Sequence, residues 1–195
     1  MLTREAFLTA VEGGGLVPLR RRVPADLETP VSAFLKLRAG RRGAAESSAE
    51  SMFLLESVER GIQVGRYSFI GVSPAASVTL RGDTVEIARG GQRSELPAGS
   101  DPLAFVRDEI ARTPQITGYD IPGPFAGAVG YVSYEAARRF ENLPAPDDDA
   151  LELPEFHFVI PRTLVVFDHV RSEIEIATLP SGRDGAAYDA ARAEV

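Results

Sequence analysis

One stretch of tight turns and short apolar runs constrains the fold more than any other part of the chain. Residues 78–80 and 85–87 alternate apolar and polar side chains around the turn Arg81-Gly82-Asp83. Gly90-Gly91 supplies a second turn, after which residues 92–96 follow as a further short run. Two turns that separate three short segments predict an antiparallel meander.

Further apolar runs, each flanked by polar residues or glycine, fit strands better than short helices. These runs are 52–55, 67–72, 128–132, 156–160, 164–167 and 174–176. A turn at 169–172 joins the last two runs, so the final strands form a second antiparallel group. The chain therefore contains two groups of strands.

Helical periodicity or capping signals mark four segments: 3–11, 29–40, 101–113 and 184–195. In the second of these, Thr29 is a cap, and Val31, Phe34 and Leu35 are expected to share the buried face. Strands and helices together predict an α+β fold with mostly antiparallel β-sheets, sandwich-like, and flanking helices.

Composition excludes several classes of function. The chain has 28 acidic and 21 basic residues, a formal net charge of -7, which argues against a nucleic-acid partner. With no cysteine and two histidines, it offers no disulfide and no thiolate metal site. It contains no run of the ~18–20 apolar residues that a membrane span needs, and Arg4 and Glu5 interrupt any signal peptide. A cytoplasmic protein with no membrane partner is expected.

Motifs of self-sufficient catalysis are absent from the sequence, including Walker, H-E-x-x-H and G-x-S-x-G patterns. Leu55, Glu56 and Ser57 end an apolar strand, where a solvated carboxylate and a turn serine are commonplace. Arg66 precedes the next strand and suits either a ligand carboxylate or an ion pair with Glu56. The glycines at 123, 127 and 130 favour close packing over ligand approach.

Several segments, taken in order and spacing, resemble the N-terminal region of anthranilate synthase component I, a chorismate-utilising enzyme. The segments are Val17-Pro18, 25–37, 53–57, 65–71, 124–131, Tyr134-Glu135 and 165–169, which span nearly the whole chain. Ala128 stands where the family usually has a second glycine, a departure that leaves the resemblance intact.

The resemblance implies a function for the longer protein. The full-length family enzyme uses Mg²⁺ to bind chorismate and, with ammonia from a glutamine amidotransferase subunit (component II), releases anthranilate and pyruvate. Its catalytic and metal residues belong to a C-terminal domain. Residues 1–180 are then the N-terminal regulatory domain and 181–195 begin a helix leading to that domain. No catalytic residue, metal ligand or cofactor is expected in this chain, which alone is expected to be inactive.

The resemblance also implies a feedback site for L-tryptophan. In the family, the segment that matches Leu55, Glu56 and Ser57 contacts the inhibitor together with residues of the catalytic domain. Arg66 and Pro18 are further candidate contacts. A tryptophan zwitterion needs an acceptor for its ammonium, a donor for its carboxylate and an apolar slot for its indole, which these side chains could supply.

Three other interpretations remain open. The same fold serves aminodeoxychorismate synthase component I, where tryptophan can be a structural ligand. A free-standing amino-acid-binding module would explain the lack of catalytic motifs. A scaffold that covers the sheet of a catalytic domain would expose an apolar face when isolated.

Overall fold

The computed structural model describes residues 1–40, 51–56, 65–113, 116, 123–125, 127–144 and 151–195. Its strands are β1 (Leu19–Pro24), β2 (Phe53–Leu55), β3 (Tyr67–Arg81), β4 (Thr84–Arg89), β5 (Gln92–Pro97), β6 (Val129–Val132), β7 (Phe156–Asp168) and β8 (Glu173–Thr178). Its α-helices are α1 (Arg4–Val11), α2 (Pro30–Gly40), α3 (Ala104–Arg112) and α4 (Gly185–Glu194), with a 3-10 helix at Tyr134–Arg139. None of these helices is long and apolar enough to cross a membrane.

The long strands β3 and β7 pair along their whole length and form the centre of one sheet. Around one half of this pair the strand order is β1-β8-β7-β3-β2, and around the other half it is β6-β7-β3-β4-β5. Every pairing between these strands is antiparallel. The predicted α+β class with mostly antiparallel strands is confirmed; we call the two parts the first and second half-sheets.

Two prolines explain why two pairs of predicted strands are each a single strand in the structure. Pro74 lies directly opposite Pro161, where the β3–β7 register shifts, and Ser73 beside them has a φ of 48°. Proline lacks the N–H that a ladder requires, so it normally lies at strand edges or bulges. Here the two missing donors coincide at one bulge, and both strands continue through it. The runs at 67–72 and 78–80 are therefore one strand, as are those at 156–160 and 164–167.

Each half-sheet is covered by a helix on one face. The cluster under α2 contains Ile70, Val72, Val165, Phe167 and Ile174, and the cluster under α3 contains Val78, Leu80, Val85, Ile87, Ala98, Val106 and Phe156. The predicted buried face of α2 is only partly right. Ala33, Phe34 and Leu37 pack on the sheet, whereas Val31 and Leu35 are about half exposed.

The N-terminal and C-terminal helices form a third cluster, in which Phe7 of α1 packs against Tyr188 of α4 with 5.5 Å between ring centroids. Thr3 caps α1, as predicted, by accepting a bond from the Ala6 N–H at 3.3 Å. Asp184 caps α4 in the same way, through the Ala187 N–H at 2.8 Å. Both predicted helices are confirmed.

Candidate functional site

The segment that carries the main tryptophan-site candidates lies at an edge of the first half-sheet. Leu55 ends β2 opposite Phe69 of β3, and the residue is 42% exposed. Glu56 follows it and is exposed. Ser57 lies outside the described residues. The strand end predicted for Leu55 and Glu56 is confirmed, and their role in binding stays a prediction.

Arg66 forms a two-pronged ion pair at the start of β3, but its partner is Asp168 rather than the predicted alternative, Glu56. Its Nη2 lies 2.9 Å from Asp168 Oδ2, its Nε lies 3.4 Å from Oδ1, and the guanidinium lies 4.7 Å from the centroid of the Tyr67 ring. Burial alone would raise the Asp168 pKa. Hydrogen bonds from Arg66 and from the N–H groups of Arg171 and Val170 outweigh it, so the pKa is lowered and Asp168 stays charged.

One row of side chains joins this edge to the opposite one. Across five strands the paired positions are Leu55, Phe69, Val166, Glu175 and Arg22, all on one face of the first half-sheet. The row begins apolar and ends in an ion pair of 2.6 Å between the last two residues. It gives an apolar strip with charged groups at its far end.

Pro18 is the candidate that the sheet register separates from the others. It is buried and directly precedes β1, while β8, β7 and β3 lie between β1 and the strand of Leu55. Three intervening strands correspond to roughly 19 Å across a flat sheet. The described strands therefore bring Leu55, Glu56 and Arg66 to one edge and leave Pro18 at the other.

Sequence reasoning missed two carboxylates of this region, Asp168 and Glu175. Their partners lie 102 residues away for Asp168 and 153 residues away for Glu175, so no local pattern could indicate the pairs. Asp168 lies in the 165–169 segment that carried the family resemblance, which was the one available signal.

A second polar region is an open hollow of about 650 Å³ on the face of the second half-sheet opposite α3. His157 lies in it, with Nδ1 2.9 Å from Thr79 Oγ1 and Nε2 3.0 Å from Ser51 Oγ. Burial and the nearby charge of Arg81 lower the His157 pKa, although Glu86 opposes them, so the imidazole is neutral at pH 7. His157 faces the hollow, whereas its neighbours Phe156 and Phe158 pack in the cluster under α3.

The hollow has the character of a solvated sheet face. Antiparallel sheets commonly pack one face on the core and leave the other to water. Both contacts of His157 are hydroxyl groups, whereas a general base is usually oriented by a carboxylate. The described residues therefore give this histidine no catalytic relay.

Comparison with known proteins decides the family. A family model described as chorismate binding enzyme matches residues 50–193. The chain belongs to this family. Anthranilate synthase component 1 of Thermus thermophilus is 38% identical over 167 residues, which cover 86% of this chain and 32% of that protein. The Pseudomonas aeruginosa protein of the same name is 32% identical over 197 residues, covering 100% of this chain and 38% of its own length.

These matches confirm the resemblance to anthranilate synthase component I. The chain spans about a third of the length of these curated relatives. A crystal structure of anthranilate synthase component I from Streptococcus pneumoniae is also similar, with 20% identity, a TM-score of 0.49, and coverage of 89% of this chain and 35% of that one.

The described residues of this chorismate binding family member do not fit the Mg²⁺ that the resemblance implies for the full enzyme. Magnesium prefers several oxygen ligands around one point. Within the described ranges, no three Asp, Glu or His side chains come together in that way.

Proposed function

We propose that this chain is the amino-terminal regulatory part of an anthranilate synthase component 1. The longer protein converts chorismate and ammonia derived from glutamine into anthranilate and pyruvate. The observation that carries the proposal is the match, at 32–38% identity, of 86–100% of this chain to about a third of two proteins with that name. Residues 1–180 form the regulatory domain and 181–195 lead into the catalytic domain, whose residues hold Mg²⁺.

The regulatory ligand in this proposal is L-tryptophan, bound at the edge formed by the ends of β2 and β3. Leu55 with its neighbour Phe69 supplies an apolar surface for an indole. Arg66, oriented by Asp168, presents a fixed cation for a carboxylate, and Glu56 is exposed beside the strand end for an ammonium group. Ser57 adds a hydroxyl group next to them in sequence. Pro18 contributes only if the bound state brings the two edges of the half-sheet together.

Inhibition would follow from a coupling between two states of the longer protein. Tryptophan bound between the regulatory and catalytic domains favours the state that binds chorismate poorly, so chorismate must weaken tryptophan binding by the same factor. A glutamine amidotransferase, component 2, delivers the ammonia. Analysis of the product distinguishes anthranilate from aminodeoxychorismate, the product of the alternative enzyme.

The test measures anthranilate formation by the longer protein while L-tryptophan is titrated. We expect activity that tryptophan inhibits in the wild type and that resists inhibition in Ser57→Arg, because the added bulk and charge fill the site. Ser94→Arg, at an exposed serine on the distant strand β5, is the matched control and should remain inhibited. The 195-residue chain alone should form no anthranilate.

Two results would contradict the proposal. A longer protein that makes no anthranilate from chorismate and ammonia would remove the assigned activity. An active protein in which tryptophan inhibits Ser57→Arg as strongly as the wild type would keep the activity and remove the feedback site from this edge.

A further inference from the structure

Strand β6 is an open edge of the second half-sheet. It pairs with β7 on one side, and no strand in the described part of the chain pairs with its other side. The Ser133 N–H donates to the Glu155 carbonyl at 2.7 Å. Since hydrogen-bonded pairs alternate along an antiparallel ladder, the main-chain groups of Gly130 and Val132 point away from β7.

Two of the other outer strands, β1 and β5, have features that discourage pairing, and β6 has none of them. β1 has three consecutive arginines and ends in Pro24, and β5 contains Arg93 and Glu95 and ends in Pro97. Charged residues and prolines protect sheet edges from adding further strands. The sequence of β6 is Val-Gly-Tyr-Val, without charge or proline. Strand β2, the outer strand of the first half-sheet, has the sequence Phe-Leu-Leu and likewise carries no charge or proline.

Exposed apolar side chains surround the same end of the sheet. Tyr134 and Phe140, in and after the 3-10 helix that follows β6, are 83% and 73% exposed, and Leu151 and Leu153, which precede β7, are 76% and 59% exposed. We call these four residues the collar. Arg139 joins its two segments by ion pairing with Glu155 at 2.6 Å. A cluster of large exposed apolar residues marks an interaction surface more often than a solvated one.

We propose that β6 and the collar receive a strand and apolar side chains from the remainder of the same polypeptide. The inference rests on the proposed function, because that function makes this chain part of a longer protein. The relatives are about three times as long as this chain, which covers 32–38% of their length. The remaining two thirds must contact this domain over a sizeable surface for regulation to pass between them. The added strand would satisfy the outward main-chain groups, and the collar would pack against its side chains.

Hydrogen exchange of single amides tests the docked strand. The 195-residue chain and the longer protein are compared under the same conditions. We expect the Gly130 and Val132 amides to exchange at least about 100-fold more slowly in the longer protein, because a new hydrogen bond protects them. Arg93 and Glu95 on β5, an edge that we expect to stay open, should exchange equally in both.

Collar variants test the side-chain contacts. Tyr134→Glu combined with Phe140→Glu should leave the folding of the 195-residue chain unchanged, because both side chains are exposed there. In the longer protein the pair should abolish the protection of Gly130 and Val132. The control is Leu27→Glu, an apolar residue outside the collar that is 94% exposed and should have no effect in either protein.

The outcomes separate this inference from the proposed function. Equal exchange of the β6 amides in an active longer protein overturns the docking and leaves the function standing. Protection in a longer protein that makes no anthranilate supports the docking and overturns the function. Protection that rises with concentration in the 195-residue chain assigns the edge to a second copy and overturns the inference, as does a gene that encodes nothing beyond Val195.

Discussion

At the scale of single residues, His157 couples the stability of the fold to pH. Burial and Arg81 lower its pKa below the ordinary value of about 6.5. The unfolded chain therefore takes up a proton at a higher pH than the folded chain does. Stability is complete above about pH 6.5 and is lost as the pH falls through the folded pKa. The slope cannot exceed about 1.4 kcal/mol per pH unit for one proton, and partial exposure of the ring keeps it smaller.

We predict that His157→Gln removes this part of the acid destabilisation. Glutamine keeps polar atoms for Thr79 and Ser51 but does not titrate. The measurement is the free energy of urea unfolding at pH 7.5 and pH 5.5, compared between variant and wild type. Thr84→Ala, at an exposed position in the same hollow, removes no titratable group, so the free energy of unfolding should fall with pH as it does in the wild type. If the free energy of unfolding fell equally between pH 7.5 and pH 5.5 in His157→Gln and in the wild type, the His157 ring would not be the source of the acid destabilisation.

Local sequence predicts the position of Arg66 but not the partner of its ion pair. The sequence correctly identified a cation at the start of a strand and left its partner open between a ligand and Glu56. The actual partner, Asp168, is adjacent only because β3 and β7 pair antiparallel with Tyr67 opposite Asp168. Such a contact depends on strand register over a hundred residues, which local spacing does not determine.

At the scale of elements, two glycines allow neighbouring strands to approach closely. A Cβ on Gly130 would overlap the His157 carbonyl oxygen and lie 2.7 Å from Phe158 Cα, both main-chain atoms of β7. A Cβ on Gly71 would instead overlap the ring of Phe53 in β2. The packing role predicted for Gly130 is confirmed. A side chain at Gly71 could be accommodated if the Phe53 ring were smaller, whereas one at Gly130 would require the main chain of β7 to move.

We predict that Gly130→Ala and Gly71→Ala each lower the free energy of unfolding, by about 1–3 kcal/mol, as overpacked sites do. Phe53→Leu should recover part of the loss in Gly71→Ala, because removing ring atoms opens space. Phe158→Leu should recover little in Gly130→Ala, because the main chain of β7 remains in place. Urea unfolding of the four variants and two double variants measures both couplings. If Phe53→Leu and Phe158→Leu recovered equal fractions of the lost unfolding free energy, the distinction between a side-chain clash and a main-chain clash would be contradicted.

Element types followed from the sequence more closely than element lengths. The glycine turns at 81–83 and 90–91 and the helix caps at Thr3 and Thr29 act within a few residues, and each marks the expected element. The continuity of β3 and β7 did not follow, because Pro74 and Pro161 each indicate a break when read alone. Only their pairing across the sheet makes both tolerable.

At the scale of the whole molecule, β3 and β7 make the two half-sheets one structural unit. Each strand passes through both halves, so neither half can lose its central pair without disrupting the ladder of the other. The three apolar clusters lie in separate places, under α2, under α3 and between α1 and α4, yet the first two share these strands. The shared strands imply cooperative unfolding across clusters that are separate in the described part of the chain.

We predict that a cavity in one half-sheet destabilises both halves equally. Leu80→Ala, fully buried under α3, should cost about 2–5 kcal/mol, and Ile70→Val, fully buried under α2, about 0.5–1.5 kcal/mol. Native-state hydrogen exchange then reports the free energy of opening at Ile174 in the first half and at Val85 in the second. Each substitution should lower the opening free energies at Ile174 and at Val85 by the same amount, because the slowest amides exchange only when β3 and β7 separate.

A loss confined to the substituted half would mean that the bulge at Pro74 divides the sheet into two independently opening units. In that case tryptophan bound at the β2 edge could order the first half without affecting β6, and the proposed coupling to the catalytic domain would have to pass by another route.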